Sequence, residues 1–563
     1  MNEKLQIVFG LLGGLAIFLY GMNMMSECLQ KAAGEKMKTI LALLTKNPIL
    51  GVLAGALTTA VLQSSSATTV MAIGFVSAGL MNLPQAISII IGANIGTTMT
   101  AQIIAFKLSD YIYIIIFIGF IISFIVKSER AKSIGQTIFA FGLLFLGIET
   151  MGSVMKPLAS SPFFVDLIAK VADMPVLGVV VGTLVVQSSS ATIAVLQNFA
   201  SQAGPDGVTS ILGLTGAIPI LLGDNIGTTI TALLASVGQP RDAKRTAVAH
   251  CIFNLSGALI FIWLIKPFAY VIQMISPKGP EVQVISRQIA NAHTSFNIVM
   301  TLIWIPLIWL MVKIVMKIIP DAKTSEKREP SRPQFLDDKL IGQPTVALSL
   351  ARKEITRCSE MAGETLQKLI NLVKGETNEQ LEEVMEQGHD VGKLTEQINE
   401  YLTNMFSSGS LTEKQTTQTA GLMYMLGDVD RVNGLSMEIA ESVREKKEQK
   451  YKYSKEAMRD LTKSLEQIQG MYREAIQVLM TGSTENAKKI VKKKEKVLDI
   501  TIHMGKSHVE RVGKGKCSSK LTVPFNHVLQ NIGRMGNCCV NIADAVLAQS
   551  DLNEFTAFVK EEN

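Results

Sequence analysis

The chain has 563 residues, 48% of them hydrophobic and 18% charged, with a formal net charge of +6. A mean hydropathy of +0.30 is too high for a soluble enzyme of this length and fits a membrane protein with a polar appendage. Lys and Arg are scattered rather than striped, which argues against a nucleic-acid partner, and the six cysteines form no C-x-x-C pair, as in a reduced cytosolic tail.

A spanning helix needs about 20 apolar residues. Spans are predicted at 5–26, 84–106 and 111–126. The first has the look of a signal peptide. However, "FLYGMNMMS" (18–26) returns as "FLGIETMGS" (145–153), so it reads as part of the fold. Between the first two spans, 47–80 is apolar but interrupted by Gln63, Ser64, Ser65 and Ser66. Each arm is short for a span, so a helical hairpin that enters the membrane and returns is predicted. The order then repeats, with a span at 134–153, a hairpin at 175–203, and spans at 209–236, 244–265 and 288–315.

The hairpin motif is duplicated. "TAVLQSSSATT" (59–69) returns as "TLVVQSSSATI" (183–193), and "IGANIGTTMTA" (91–101) as "LGDNIGTTITA" (222–232). Each unit has three crossings on this reading, an odd number, so the second copy is inverted relative to the first. Basic residues test the orientation. Lys31, Lys36, Lys38, Lys46, Lys127, Arg130, Lys132, Arg241, Lys244, Arg245, Lys313 and Lys317 all fall on one side if the N-terminus is outside. The two hairpins then meet from opposite faces, the inverted-repeat architecture of secondary transporters.

A hairpin tip inside a bilayer exposes unpaired helix-end groups, which are tolerable where they line a cavity. Helix N-termini and Ser hydroxyls suit an anion, whereas Asn and Thr oxygens at broken helix ends suit Na+. The glycines around Asn94 and Asn225 predict an unwound turn in each span. No Lys or Arg lies between Asn47 and Phe106 or between Val171 and Pro240. A co-bound cation is therefore expected to offset an anion's charge. Asp224, matched by Ala93 in the first unit, is read as a cation ligand. A smaller echo, "AHCIFN" (249–254) against "AHTSFN" (292–297), puts His and Asn on one helix face, fixing two spans or supporting the site.

Two QSSS motifs, each followed by N-I-G-T-T, resemble the bacterial form of the type II sodium/phosphate cotransporter family over about residues 5–315. The resemblance implies phosphate at Gln63, Ser64, Ser65, Ser66, Gln187, Ser188, Ser189 and Ser190. It implies co-transported Na+ at Thr59, Gln63, Asn94, Thr97, Thr183, Gln187, Asn225 and Thr228, beside Asp224.

The tail, 345–563, follows a Pro- and charge-rich linker, 319–344. It reads as amphipathic helices and is duplicated, with "DRVNGLSMEIAE" (430–441) against "GRMGNCCVNIAD" (533–544). It is similar to the PhoU family of paired three-helix bundles, whose acidic E-R-I-G-D motif binds metal clusters. Asp430 survives here, but Gly434, Gly533 and Asn537 replace the other acids, so a full cluster is not expected.

The expected whole is all-α: a multi-pass protein of the cell membrane with inverted-topology repeats (1–133 and 134–318) and re-entrant hairpins, followed by a cytosolic PhoU-like domain. The function expected is sodium-coupled phosphate transport, with lipid bilayer around the spans and a homo-oligomer or cytosolic regulatory partner at the tail. The alternatives are a membrane-anchored phosphate sensor or a carrier of another oxyanion. There is no P-loop, zinc-binding spacing or paired nucleophile and base, so an enzyme is not expected.

Overall fold

The computed structural model describes residues 3–33, 47–159, 188–321 and 329–548, less positions 78, 107, 127, 205, 376, 410 and 452. Within them the fold is helical, with a lone β-bridge between Ala203 and Ser210. The chain divides into two compact units, Met1–Lys323 and Thr324–Asn563.

The first unit opens with α1 (Glu3–Ala33), α2 (Pro48–Leu62), α3 (Ser65–Ser77) and α4 (Leu83–Ile104). Asn47 caps α2, its Oδ1 accepting from the Leu50 N–H at 2.9 Å, and Pro48 supplies a first residue that needs no N–H partner. Asn82 and Gln85 form a capping box at the start of α4. Next come α5 (Ile112–Ile125), α6 (Glu129–Ala159), α7 (Ser189–Ala200), α8 (Gly213–Gly227) and α9 (Thr229–Ser236). Two bent pairs complete the unit: α10 (Arg241–Phe261) with α11 (Ile265–Ile275), and α12 (Glu281–Trp304) with α13 (Ile308–Ile318).

Among the described residues, four segments are long and apolar enough to cross a membrane: Leu5–Leu29, Leu83–Ile104, Ala131–Val154 and Gly213–Ser236. The bent pairs turn by 93° and 84° at their breaks. Two sequence readings need correction. The span expected at 288–315 is not straight, because the chain turns between Trp304 and Ile308, where Pro306 cannot continue a helix. The span expected at 111–126 is a helix of 14 residues, about 21 Å long, short of a bilayer core.

Packing in this unit rests on small residues. On α2, Gly51 and Gly55 face Ser88 and Ile89 of α4; Gly92 and Gly96 of α4 face Val52 and Ala56 of α2. A Cβ at Gly55 or Gly92 would land on the carbonyl oxygen of Ile89 or Val52. The helices run in parallel with backbones in contact, the small-xxx-small solution to association without a hydrophobic drive. A similar seam joins α1 and α6, where Gly14 and Gly147 face each other.

In the second unit, α14 (Pro344–Gly375), α15 (Asn378–Ser407) and α16 (Glu413–Glu448) are followed by α17 (Lys455–Thr481), α18 (Thr484–Val491), α19 (Lys494–Gly513) and α20 (Thr522–Ala548). One continuous apolar core joins both sets, with Leu366, Leu394, Leu426, Leu465 and Ile542 all buried in it. Upstream of α14, the chain is clasped to the bundle. Buried Glu354 accepts from the N–H groups of Gln334 (2.7 Å) and Phe335 (2.6 Å) and from Arg357 Nε (2.7 Å).

Candidate functional site

The first QSSS motif is the turn between α2 and α3. Gln63 ends α2 in the left-handed region, with φ 51° and ψ 25°, a conformation that non-glycine residues adopt at a cost of roughly 1–2 kcal/mol. Its side chain is held at both ends. Nε2 donates to the Ala60 carbonyl (2.5 Å), and Oε1 accepts from the Thr100 hydroxyl (2.8 Å). The orphan Leu62 carbonyl accepts from the Ser26 hydroxyl at 2.5 Å. Ser64 caps α3, its Oγ accepting from the Ala67 N–H at 3.1 Å. The two arms are joined where the Thr59 hydroxyl donates to Thr68 Oγ1 at 2.8 Å. Ser65 is buried and Ser66 half-buried on the first turn of α3.

In the second motif the described residues, from Ser188 on, begin a helix in the same way. Ser188 caps α7, accepting from the Ala191 N–H at 3.4 Å, and its carbonyl accepts from the Thr192 hydroxyl at 3.2 Å. Ser189 and Ser190 are buried on its first turn. Gln187 and Thr183 lie outside the described residues. Each serine run thus starts a helix whose free N–H groups and positive dipole end suit an anion. Among the described residues, no hydrogen bond joins Ser64, Ser65 or Ser66 to Ser188, Ser189 or Ser190.

The N-I-G-T-T motifs depart from expectation. In the first, α4 runs unbroken through Asn94, so its glycines serve the close approach of α2 rather than an unwound turn. In the second, the helix is interrupted at Thr228, between α8 and α9, with its backbone still near helical at φ −62° and ψ −23°. Thr97 is buried, and the Thr228 hydroxyl donates to the Asn225 carbonyl at 2.9 Å. Asp224 is 1% exposed, and neither carboxylate oxygen accepts a well-formed hydrogen bond. The Thr192 side chain approaches it, so Asp224 lies beside the second QSSS turn.

Sequence reasoning weighed His250 and His293 as fixing two spans or supporting the site, without naming their partners. His250 Nε2 is 3.3 Å from Asn94 Oδ1, and His293 Nε2 is 3.2 Å from Asn225 Oδ1. Asn254 and Asn297 each donate to the carbonyl of the histidine one turn earlier, at 3.1 and 2.9 Å. The A-H-x-x-F-N echo carried the signal; its partner motif was not legible. Gln197 was missed. Its Nε2 bridges the carbonyls of Ala101 (3.1 Å) and Ser286 (2.9 Å), tying α7 to α4 and α12. Arg287 Nη1 donates to Gln102 Oε1 at 2.7 Å, and its guanidinium stacks 4.5 Å over Phe106, at the far end of α4 from Leu83.

In the tail, Asp430 is half-buried, and burial pushes its carboxyl above the usual range. Among the described residues, no three His, Cys, Asp or Glu side chains converge as a metal site would need.

The family model described as Na+/Pi-cotransporter matches residues 17–153 and 154–277, and that of the PhoU domain matches 355–443 and 461–546. The "Putative inorganic phosphate export protein YjbB" of Salmonella typhimurium is 24% identical over 549 residues, covering 97% of this chain and 98% of that protein. "Uncharacterized protein YqeW" of Bacillus subtilis is 32% identical over 309 residues, 54% of this chain and 96% of the relative. "Sodium-dependent phosphate transport protein 2A" of Rattus norvegicus is 37% identical over 107 residues, 19% of this chain and 17% of that protein. No solved structure matches the chain.

Proposed function

The chain belongs to the Na+/Pi-cotransporter family and carries a PhoU domain, and on that premise we propose that it is a sodium-coupled carrier of inorganic phosphate working by alternating access. The observation that carries this reading is the pair of serine-capped helix N-termini, at Ser64 and Ser188, each beginning a helix inside an apolar unit. Phosphate binds there through Ser64, Ser65, Ser66, Ser188, Ser189 and Ser190, together with Gln63 and Gln187. Na+ binds through Thr59, Asn94, Thr97, Thr183, Asp224, Asn225 and Thr228, together with the same glutamines.

The physical case for coupling is charge. No Lys or Arg occurs in 47–106 or 171–240, and hydrogen bonds alone offset little of the cost of desolvating an anion. A cation entering with phosphate supplies the missing charge. In this reading Arg241, Lys244, Arg245, Lys313 and Lys317 face the cytoplasm together with the PhoU-like domain, which regulates transport. Net efflux is the second reading, because the relative matching 97% of the chain bears an export name. A carrier runs down whichever gradient it meets.

The test is labelled-phosphate flux in proteoliposomes, with and without a Na+ gradient, for wild type and a Gln63→Ala, Gln187→Ala variant. Na+-dependent flux, lost in the variant, is the expected result. Flux indifferent to Na+ would remove the coupling, and no flux from folded protein would favour a sensor. Running the gradients outward tests efflux directly.

A further inference from the structure

We propose that His250 and His293 are positioning residues for the cation sites: each donates Nε2–H to the side-chain oxygen of Asn94 or Asn225 and so fixes how that amide meets Na+. This rests on the sodium-coupled reading above. The geometry is matched in both halves of the membrane unit. The Nε2 to Oδ1 distances are 3.3 and 3.2 Å, and both histidines are 1% exposed. They come from different helices, α10 and α12, and each reaches the asparagine of one N-I-G-T-T motif.

The tautomer follows from the hydrogen bonds in the first pair. Asn94 Nδ2 donates to the Ile90 carbonyl at 3.2 Å, so the amide cannot be turned without loss. Its oxygen must therefore face the ring, and the ring must carry its proton on Nε2. Nδ1 of His250 is then an acceptor; Nδ1 of both histidines is buried without a partner. A carbonyl oxygen has two lone pairs. With one occupied by the imidazole N–H, the other has a fixed direction and remains available to a cation.

The two pairs differ in one respect. Asn225 Nδ2 is buried with no partner, so that amide has no second tether. Asp224 stands next to it with neither oxygen satisfied, where the first unit has Ala93. Orientation of Asn225 therefore depends on His293 alone, and loss of that histidine has the larger effect.

The experiment measures phosphate flux against Na+ concentration in proteoliposomes. It compares wild type with His250→Phe, His293→Phe and the corresponding glutamine variants, whose side-chain N–H lies near the position of Nε2. Each protein is first checked for monodispersity and melting temperature, and Na+-induced stabilisation in detergent gives a reading independent of flux. The expected result is a rise of about tenfold in half-saturating Na+ for the Phe variants, as is typical when a ligand's outer partner is lost. The rise is greater at 293 than at 250. Glutamine restores most of the affinity, and His250→Phe adds nothing in an Asn94→Ala background. Folded Phe variants with unchanged Na+ dependence would overturn the inference while leaving the coupled reading intact. Glutamine variants as impaired as Phe would also overturn it, since they would mark a packing role. Wild type indifferent to Na+ in both measurements would instead refute the coupled reading, and this inference with it.

Discussion

Gln63 is the residue at which backbone strain meets the proposed phosphate turn. Its left-handed backbone would suit glycine, yet the chain keeps a long amide that contacts Ala60 and Thr100. Gln63→Gly therefore separates two properties. Backbone relief raises stability by up to about 1 kcal/mol, less whatever the lost hydrogen bonds contributed, while flux falls because the amide is gone. A melting curve alongside a flux assay checks this; full flux in the glycine variant would remove Gln63 from the site. In the tail, burial pushes the Cys358 thiol up to about 11 and the Cys538 thiol up to about 12, and raises Cys539 further. A raised thiol stays protonated, and hence unreactive, as pH climbs through 8 and 9. Iodoacetamide at pH 8 should label half-buried Cys517 first and reach these three only after denaturation, as mass spectrometry would record. The QSSS runs and Asp224 were legible from the duplicated motifs in a charge-poor stretch. Sequence left the histidines between fixing two spans and supporting the site, because their partner asparagines lie 156 and 68 residues away.

Among the elements, the α2–α4 seam is the most tightly specified. With no side chain between the backbones, Gly55→Val or Gly92→Val must push the helices apart, at a cost of about 1–3 kcal/mol or more. Gly13→Val is the control, because a Cβ there meets nothing within 4 Å. Thermal unfolding in detergent should show a clear loss for the first two and little change for the third. If Gly92→Val melted like wild type, close backbone contact would not be what holds this pair together. The spacing of four between these glycines is visible in the sequence, but it fits an unwound turn as well as a packing face. Only the parallel neighbour decides between them. The bend near Pro306 was legible as punctuation and was read through because the apolar run continues on both sides.

For the whole molecule, the division into an apolar unit and a charged helical one was legible from composition. The tail's clasp was not, because it depends on one acid meeting backbone N–H groups about 20 residues away. Glu354→Ala leaves those groups and Arg357 without their acceptor, a loss of about 3–5 kcal/mol for a buried pair broken on one side. Limited proteolysis of the full chain should then cut within 329–337 sooner than in wild type. Unchanged cleavage would mean that the clasp does not hold the segment.

Arg245 has a further consequence. This buried guanidinium grips the Ile319 carbonyl (2.9 Å) and the carboxylates of Asp242 and Asp321 (2.6 Å each), at the point where the chain leaves α13. It sits on α10, five residues before His250, which is about 7.5 Å along the helix axis. Tension on the chain at Asp321 is thus borne by α10, a turn and a half from the ring that holds Asn94. The load path from Asp321 to Asn94 consists of one helix and one salt-bridged anchor.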